Sequence, residues 1–209
     1  MQPIDSLTHS IGPALDLAGL AVFAASGALA AAQRGQTMVT LAFFALITGV
    51  GGGTLRDLLI GVPVFWVQDS RAAAVCLGIA FFIYVTPQRW WAGAALVWFD
   101  ALGLAAYAVY GAAKALNVAV PAVPAIVMGV ISACVGGIIR DVLAGEPSIL
   151  MRPELYVTAA ALAAALYVGL VLAGAPVAVA AAIGALGGFA LRAAAIHWKL
   201  RLPAYRGRR

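Results

Sequence analysis

Long apolar runs separated by short polar connections organise this sequence from end to end. A helix needs about 20 mainly apolar residues to cross a hydrocarbon core. Runs near that length lie at roughly 11–32, 38–60, 72–85, 92–116, 121–144, 155–173 and 177–196. The third is short, and the preceding apolar stretch 64–67 extends it if the two join. The connections carry breakers and polar groups, among them Gly35, Pro63, Pro87, Pro147, Gly174 and Pro176. Lipid offers no partner to a backbone N–H or C=O, so only helices or a closed barrel can span it. The runs are continuous rather than alternating at a period of two, which selects helices. The pattern predicts an all-α integral membrane protein with seven transmembrane helices.

Composition agrees. The 209 residues are 64% hydrophobic and only 10% charged, whereas soluble domains carry roughly 25% charge. The net charge of +5 gathers toward the C-terminus, in a basic tail over 197–209, which suits a membrane edge rather than a nucleic acid. Met1 to Ser10 hold no Lys or Arg, so a cleaved signal peptide is not expected and the first run should remain as a span. Placing the N-terminus outside puts Arg34, Arg89, Arg152, Lys199, Arg201, Arg206, Arg208 and Arg209 inside, against Arg71 and Lys114 outside. The positive-inside rule then predicts N-out and C-in. Cys76 and Cys134 sit inside apolar runs and read as small buried hydrophobes. Five tryptophans near the span ends read as interfacial anchors. His9 and His197 lie at span edges, too far apart for a metal site. No nucleophile–base pair, phosphate loop or metalloprotease motif appears, so neither an enzyme nor a cofactor is expected.

Sliding the sequence by 84 positions aligns its two halves without a gap. Asp16 falls on Asp100, Gly19 on Gly103, Gly27 on Gly111, Gly52 and Gly53 on Gly136 and Gly137, Arg56 and Asp57 on Arg140 and Asp141, Gly61 on Gly145 and Pro63 on Pro147. Each copy holds three spans, an odd number, so the second must enter the membrane from the opposite side. The organisation expected is a single membrane domain: repeat 1 over about 11–86, repeat 2 over about 92–173, and an unpaired seventh helix over about 177–196. Inverted repeats are characteristic of transport proteins, whose sites form where the repeats meet.

The chemistry lies at the repeated motif. Gly51, Gly52 and Gly53 fall in the middle of the second span, and Gly136 and Gly137 in the middle of the fifth. At roughly 1 kcal/mol of lost helix propensity each, such a run invites a kink or an unwound turn whose carbonyls face a cavity. The alternative for any one glycine is close helix packing. Beyond each cluster stands Arg-Asp, although an ionised side chain near the bilayer centre costs about 2.5–3.5 kcal/mol or more. Neighbouring helical residues point about 100° apart, so Arg56 and Asp57 should find partners on other helices, notably Asp16 and Asp100. Asp16, Arg56 and Asp57 should gather near the outer face, and Asp100, Arg140 and Asp141 near the inner one. Each cluster sums to one negative charge, which favours cations at both mouths. Thr48, Ser132, Ser26 and Thr54 offer hydroxyl ligands, or bond back to helix carbonyls. Lys114 either snorkels or acts as a mobile gate charge. Gly184 and Gly188 form a GxxxG for helix packing, within the protomer or between protomers.

The doubled motif, GGGxxRD at 51–57 and GGxxRD at 136–141, each followed by Gly-x-Pro, resembles the bacterial branch of the trimeric intracellular cation (TRIC) channels. Bacterial members of that group also carry the domain label "glycine transporter". The resemblance implies a homotrimer in a bacterial inner membrane, each protomer holding its own pore for K⁺ and Na⁺. It implies that the pore is lined by glycine-bent second and fifth helices, here at Gly51, Gly52, Gly53, Gly136 and Gly137. Arg140 matches a basic position beside the second glycine pair. The animal channels place a lysine just before that pair, where this chain has Ala133, Cys134 and Val135. Gating assigned to such a lysine is therefore not carried over.

The function expected is a passive monovalent-cation channel in which Asp16, Asp57, Asp100 and Asp141 set cation preference and Arg56 and Arg140 narrow the path. The competing reading is a secondary transporter of a small amino acid such as glycine, its carboxylate on Arg56 or Arg140 and its amine on an aspartate. A structural assembly factor is a third class, which leaves the inverted Arg-Asp clusters unexplained.

Overall fold

A computed structural model describes residues 5–91 and 94–203, with side chains from Leu17 onward apart from Gln88. The apolar runs fold as helices α1 (Asp5–Ala32), α2 (Met38–Leu59), α4 (Ser70–Val85), α5 (Ala95–Asn117), α6 (Ala122–Leu143), α7 (Val157–Leu172) and α8 (Val177–Trp198), with a one-turn helix α3 (Phe65–Gln68) between α2 and α4. Helices α2, α5, α6 and α8 are each long and apolar enough to cross a membrane, whereas Leu17–Ala32, α4 and α7 are shorter apolar segments. Residues 64–67 do not extend the third span. Asp69 stops them by capping α4, its carboxylate accepting from the Arg71 amide at 2.9 Å.

Residues 84 apart share backbone detail as well as sequence. Gly61 and Gly145, which end α2 and α6, both adopt the left-handed region, with φ of 71° and 69°. The turns that follow are also mates: α3 begins at Phe65, and a 3-10 turn spans Ile149–Met151. The turn after α1 passes through Gly35 at φ 65°, and the equivalent turn after α5 through Ala119 at φ 60°. Both close with one hydrogen bond, from Gln36 N to Ala31 O and from Val120 N to Ala115 O.

Helices α2 and α6 cross at the centre of the bundle, and the glycines explain how. A Cβ added to Gly52 would lie 2.2 Å from the Ser132 carbonyl oxygen, and one added to Gly136 would lie 2.3 Å from that of Thr48. Each helix thus presses a glycine on its partner's backbone, four residues beyond its own Thr48 or Ser132. The expected unwound turn does not occur: α2 and α6 run as continuous helices through both clusters. The local propensity cost is outweighed because only a residue without a side chain permits this approach. Gly27 and Gly111 extend the pattern, lying against Thr48 and Ser132 respectively. Phe23 and Tyr107, themselves a symmetry pair, meet edge to face with ring centroids 5.3 Å apart. Helix α8 has no counterpart and packs on α5 and α7. Its Gly184 and Gly188 both lie against Ala163 of α7, which settles that GxxxG as an intramolecular contact.

Candidate functional site

Both Arg-Asp pairs occupy the last turns of their helices, one at each end of the bundle. At the end that carries the C-terminus, Arg140 is the hub. Its Nη1 lies 2.6 Å from Asp100 Oδ1 on α5 and also donates to Ser26 Oγ on α1. Its Nε and Nη2 donate to Asp141 Oδ1 at 3.0 and 2.8 Å. Asp141 Oδ2 accepts from the Ile149 amide at 3.0 Å, which ties the following turn back onto the helix.

At the far end the same scaffold recurs. Arg56 Nε donates to Asp57 Oδ1 at 2.8 Å, and Asp57 Oδ2 accepts from the Phe65 amide at 3.0 Å. Two surroundings differ. Lys114 Nζ reaches both carboxylate oxygens of Asp57, at 2.8 and 2.9 Å. The Arg56 guanidinium lies over the Tyr110 ring, 5.2 Å from its centroid. Trp66 adds a further tie, its Nε1 donating to Thr54 Oγ1 at 2.9 Å.

The structure therefore brings Asp100, Arg140, Asp141 and Ser26 together, and separately Arg56, Asp57 and Lys114. The side chain of Asp16, expected with the second group, lies outside the described residues, as does that of His9. One expectation is corrected: Arg56 and Asp57 do pair, as do Arg140 and Asp141. The rule against neighbours concerns the direction of Cβ. A guanidinium four bonds further out folds back around the helix end, and the carboxylate is held still by the amide eight residues on. Ser132 and Thr54 bond back to the carbonyls of Met128 and Val50, both at 2.7 Å, rather than facing a path. Thr48 is buried where α2 meets α1 and α6. Lys114 is half-buried in an ion pair rather than snorkelling free.

A cavity of about 410 Å³ opens at the C-terminal end, with Asp100, Arg140 and Asp141 in its wall and Ala30 and Ile149 beside them. The cluster at its base sums to one negative charge, as expected, but the full lining does not. Six basic side chains (Arg34, Arg140, Arg152, Arg192, Lys199 and Arg201) face four acidic ones (Asp100, Asp141, Glu146 and Glu154), an excess of two positive charges. Sequence reasoning missed Arg192. It is buried, paired with Glu154 at 2.8 Å and stacked over Tyr156 at 5.3 Å. Its position seven residues before the last lysine of the chain gave no sign that the α6–α7 loop would return to meet it. The rim is tied by Arg34 to Glu146 at 2.6 Å and by Leu202 N to Pro153 O at 2.8 Å. Among the described residues no group of His, Cys, Asp and Glu is placed to hold a metal ion.

The sequence pattern of the family described as "Glycine transporter" matches the chain twice, over residues 13–88 and 97–172. The second match begins 84 residues after the first (97 against 13), the same offset that aligns the halves. A UPF0126 membrane protein of Vibrio cholerae is 36% identical over 197 residues, covering 91% of this chain and 81% of its own. The UPF0126 inner membrane protein YadS of Escherichia coli is 37% identical over 203 residues, covering 91% and 94%. Among solved structures, the trimeric intracellular cation channel orthologue from Rhodobacter sphaeroides is 41% identical, with a TM-score of 0.84 over 91% of this chain and 100% of that one. A prokaryotic TRIC channel in 0.5 M KCl matches with a TM-score of 0.84 at 26% identity, over 93% of this chain and 100% of that one.

Proposed function

This chain belongs to the glycine-transporter family, whose solved relatives include TRIC channels, and we propose that it is a passive cation channel passing K⁺ and Na⁺ through each protomer. The observation that carries this reading is a polar cluster buried at the base of a cavity and repeated, inverted, at the opposite end. Arg140 is 3% exposed and Arg56 0%, so two ionised groups are held within an apolar bundle where each would otherwise cost several kcal/mol. A route between them follows the crossing of α2 and α6, with Gly51, Gly52, Gly53, Gly136 and Gly137 along it. In this reading all seven long helices cross the membrane, with the N-terminus outside, and the protein assembles as a homotrimer in a bacterial inner membrane. Asp57, Asp100 and Asp141, with Asp16, favour cations, while Arg56, Arg140 and Lys114 hold the path narrow. Thr48 and Ser132 position the crossing.

Purified protein in planar bilayers under a KCl gradient tests this. Discrete openings that reverse near the K⁺ equilibrium potential are the expected result, and reversal near the Cl⁻ potential would overturn it. The family's description gives the second reading a specific test: glycine uptake into proteoliposomes that saturates and follows a Na⁺ or H⁺ gradient, without channel currents, would replace the channel with a carrier.

A further inference from the structure

Taking the channel reading as its basis, we infer that residues 199–202 form a charged strap at the rim of the cavity, and that Lys199 and Arg201 on it set how readily cations enter from the C-terminal end. Helix α8 stops at Lys199, whose φ of 52° turns the chain off the helix. The strap then docks on the α6–α7 loop. Glu154 and Arg201 face each other across a single antiparallel bridge, and Leu202 N donates to Pro153 O at 2.8 Å. Glu154 also ties this junction to α8, because its carboxylate pairs with Arg192 at 2.8 Å. Arg192 has no other hydrogen-bond acceptor: its Nε and Nη1 are buried without a partner. One bridge with no ladder beside it, at a rim where Lys199, Arg201 and Leu202 are all exposed, is a weak tie, so the strap can lift while the helices stay in place.

The charges around the cavity give the strap its role. With it docked, six basic side chains face four acidic ones, an excess of two positive charges at the entrance of a cation path. Arg34 is paired with Glu146, Arg192 with Glu154, and Arg140 with Asp100 and Asp141. Lys199 and Arg201 make no ion pair with a described residue, so their charge is not offset locally. Lifting the strap takes both away and leaves four basic side chains against the same four acidic ones. Fixed charge at the mouth of a lined path raises or lowers the local concentration of the permeant ion. The docked strap therefore repels cations, and the lifted strap does not. The cluster of Asp100, Arg140 and Asp141 at the base keeps its single negative charge in both states. Helix α8 and the strap lie outside the repeat, so the far end has no equivalent control and the two directions of current should differ.

The test uses the full-length protein in planar bilayers, one channel at a time, with assembly checked by size. Lys199→Gln with Arg201→Gln should raise the K⁺ current entering from the C-terminal side about twofold in about 0.1 M KCl. In about 1 M KCl, where the Debye length shrinks to about 3 Å, the rise should vanish. A rise that persists there would be structural rather than electrostatic and would overturn the inference. Glu154→Gln tests the strap by sign. It deletes a negative charge from the lining, so with the strap still docked the cation current would fall. Releasing the strap removes two positive charges as well, and the current should rise instead. Pro153→Cys with Leu202→Cys puts thiols on facing residues of a strand pair, a spacing that a disulfide can span. Oxidation should lock the strap and lower the low-salt current, and a reductant should restore it. Glu154→Gln added to the oxidised pair should lower the current further. Cys76 and Cys134 are buried, and the wild type given the same oxidant is the control. If Glu154→Gln fails to assemble, the cysteine pair oxidised and then reduced decides within one preparation. Wild-type cation currents that neither the charge change nor the lock alters would overturn the strap and leave the channel standing. A wild type that carries no cation current would overturn both.

Discussion

At the end of the bundle that carries the C-terminus, a guanidinium is shared among Asp100, Asp141 and Ser26 beside an open cavity; at the other, an equivalent guanidinium is sealed under an aromatic ring and its carboxylate is taken by a lysine. The two ends grow from equivalent helices, α2 and α6, with equivalent glycine clusters and equivalent following turns. Pseudo-symmetry thus fixes where the polar groups stand, while residues arriving from α1 and α5 decide whether they face space or are enclosed. The comparison separates what the repeat shares from what each copy has made its own, and each can be broken separately.

The largest effect should come from the shared part. Gly52→Ala and Gly136→Ala put a methyl within 2.2 and 2.3 Å of a backbone carbonyl oxygen, a clash with no flexible side chain to yield. Each should cost about 3 kcal/mol or more in thermal unfolding in detergent, and by similar amounts, since the contact is the same at both. Gly78→Ala, where nothing lies within 4 Å, should be neutral or stabilise by up to about 1 kcal/mol through helix propensity. An innocuous Gly52→Ala would mean that α2 and α6 do not meet as described.

Next come the carboxylates, where the two ends should part. Asp57 serves two cations, whereas Asp141 serves one that has Asp100 as well. Asp57→Asn should therefore cost about 3 kcal/mol, the loss from a broken buried pair. Asp141→Asn should cost about 1–2 kcal/mol, because its arginine keeps other acceptors. Denaturant unfolding of the two variants side by side checks the order. Equal losses, or the reverse, would remove the distinction.

The smallest effect tests backbone rather than side chains. Ala119 holds the left-handed conformation that Gly35 adopts in the equivalent turn. Ala119→Gly should stabilise by about 1 kcal/mol and Gly35→Ala should destabilise by a similar amount, both read from melting temperature.

Much of this architecture was legible in the sequence, and for identifiable reasons. Span positions follow from hydropathy, and α2, α6 and α8 begin within a residue of the apolar runs because Thr37, Pro121 and Pro176 stand at their starts. The repeat was legible because glycine, aspartate, arginine and proline are scarce enough outside alanine-rich stretches for coincidences to count. Four things were not. Unwinding at the glycines was expected from a local propensity, which says nothing of a partner helix pressed against them. The Arg56–Asp57 and Arg140–Asp141 pairs were set aside on Cβ directions, which do not bind a long side chain at a helix end. The cover of Tyr110 over Arg56 was missed because the offset pairs position 110 with Ser26 but says nothing of where the ring comes to rest. Arg192 belongs with these, since its partner sits on a loop whose return path no periodicity encodes.

The meeting of Phe23 and Tyr107 carries one more implication. An edge-to-face contact has two unlike roles, one ring offering its rim and the other its π-cloud, at 83° to each other. No true two-fold axis can pass through such a pair, so two identical, separately encoded halves assembled head to tail could not both satisfy it. Joining them on one polypeptide lets the phenylalanine copy and the tyrosine copy diverge. Tyr107 also touches Tyr110 at 5.9 Å, so departure from perfect duplication at the middle of the molecule is in contact with the ring that covers Arg56.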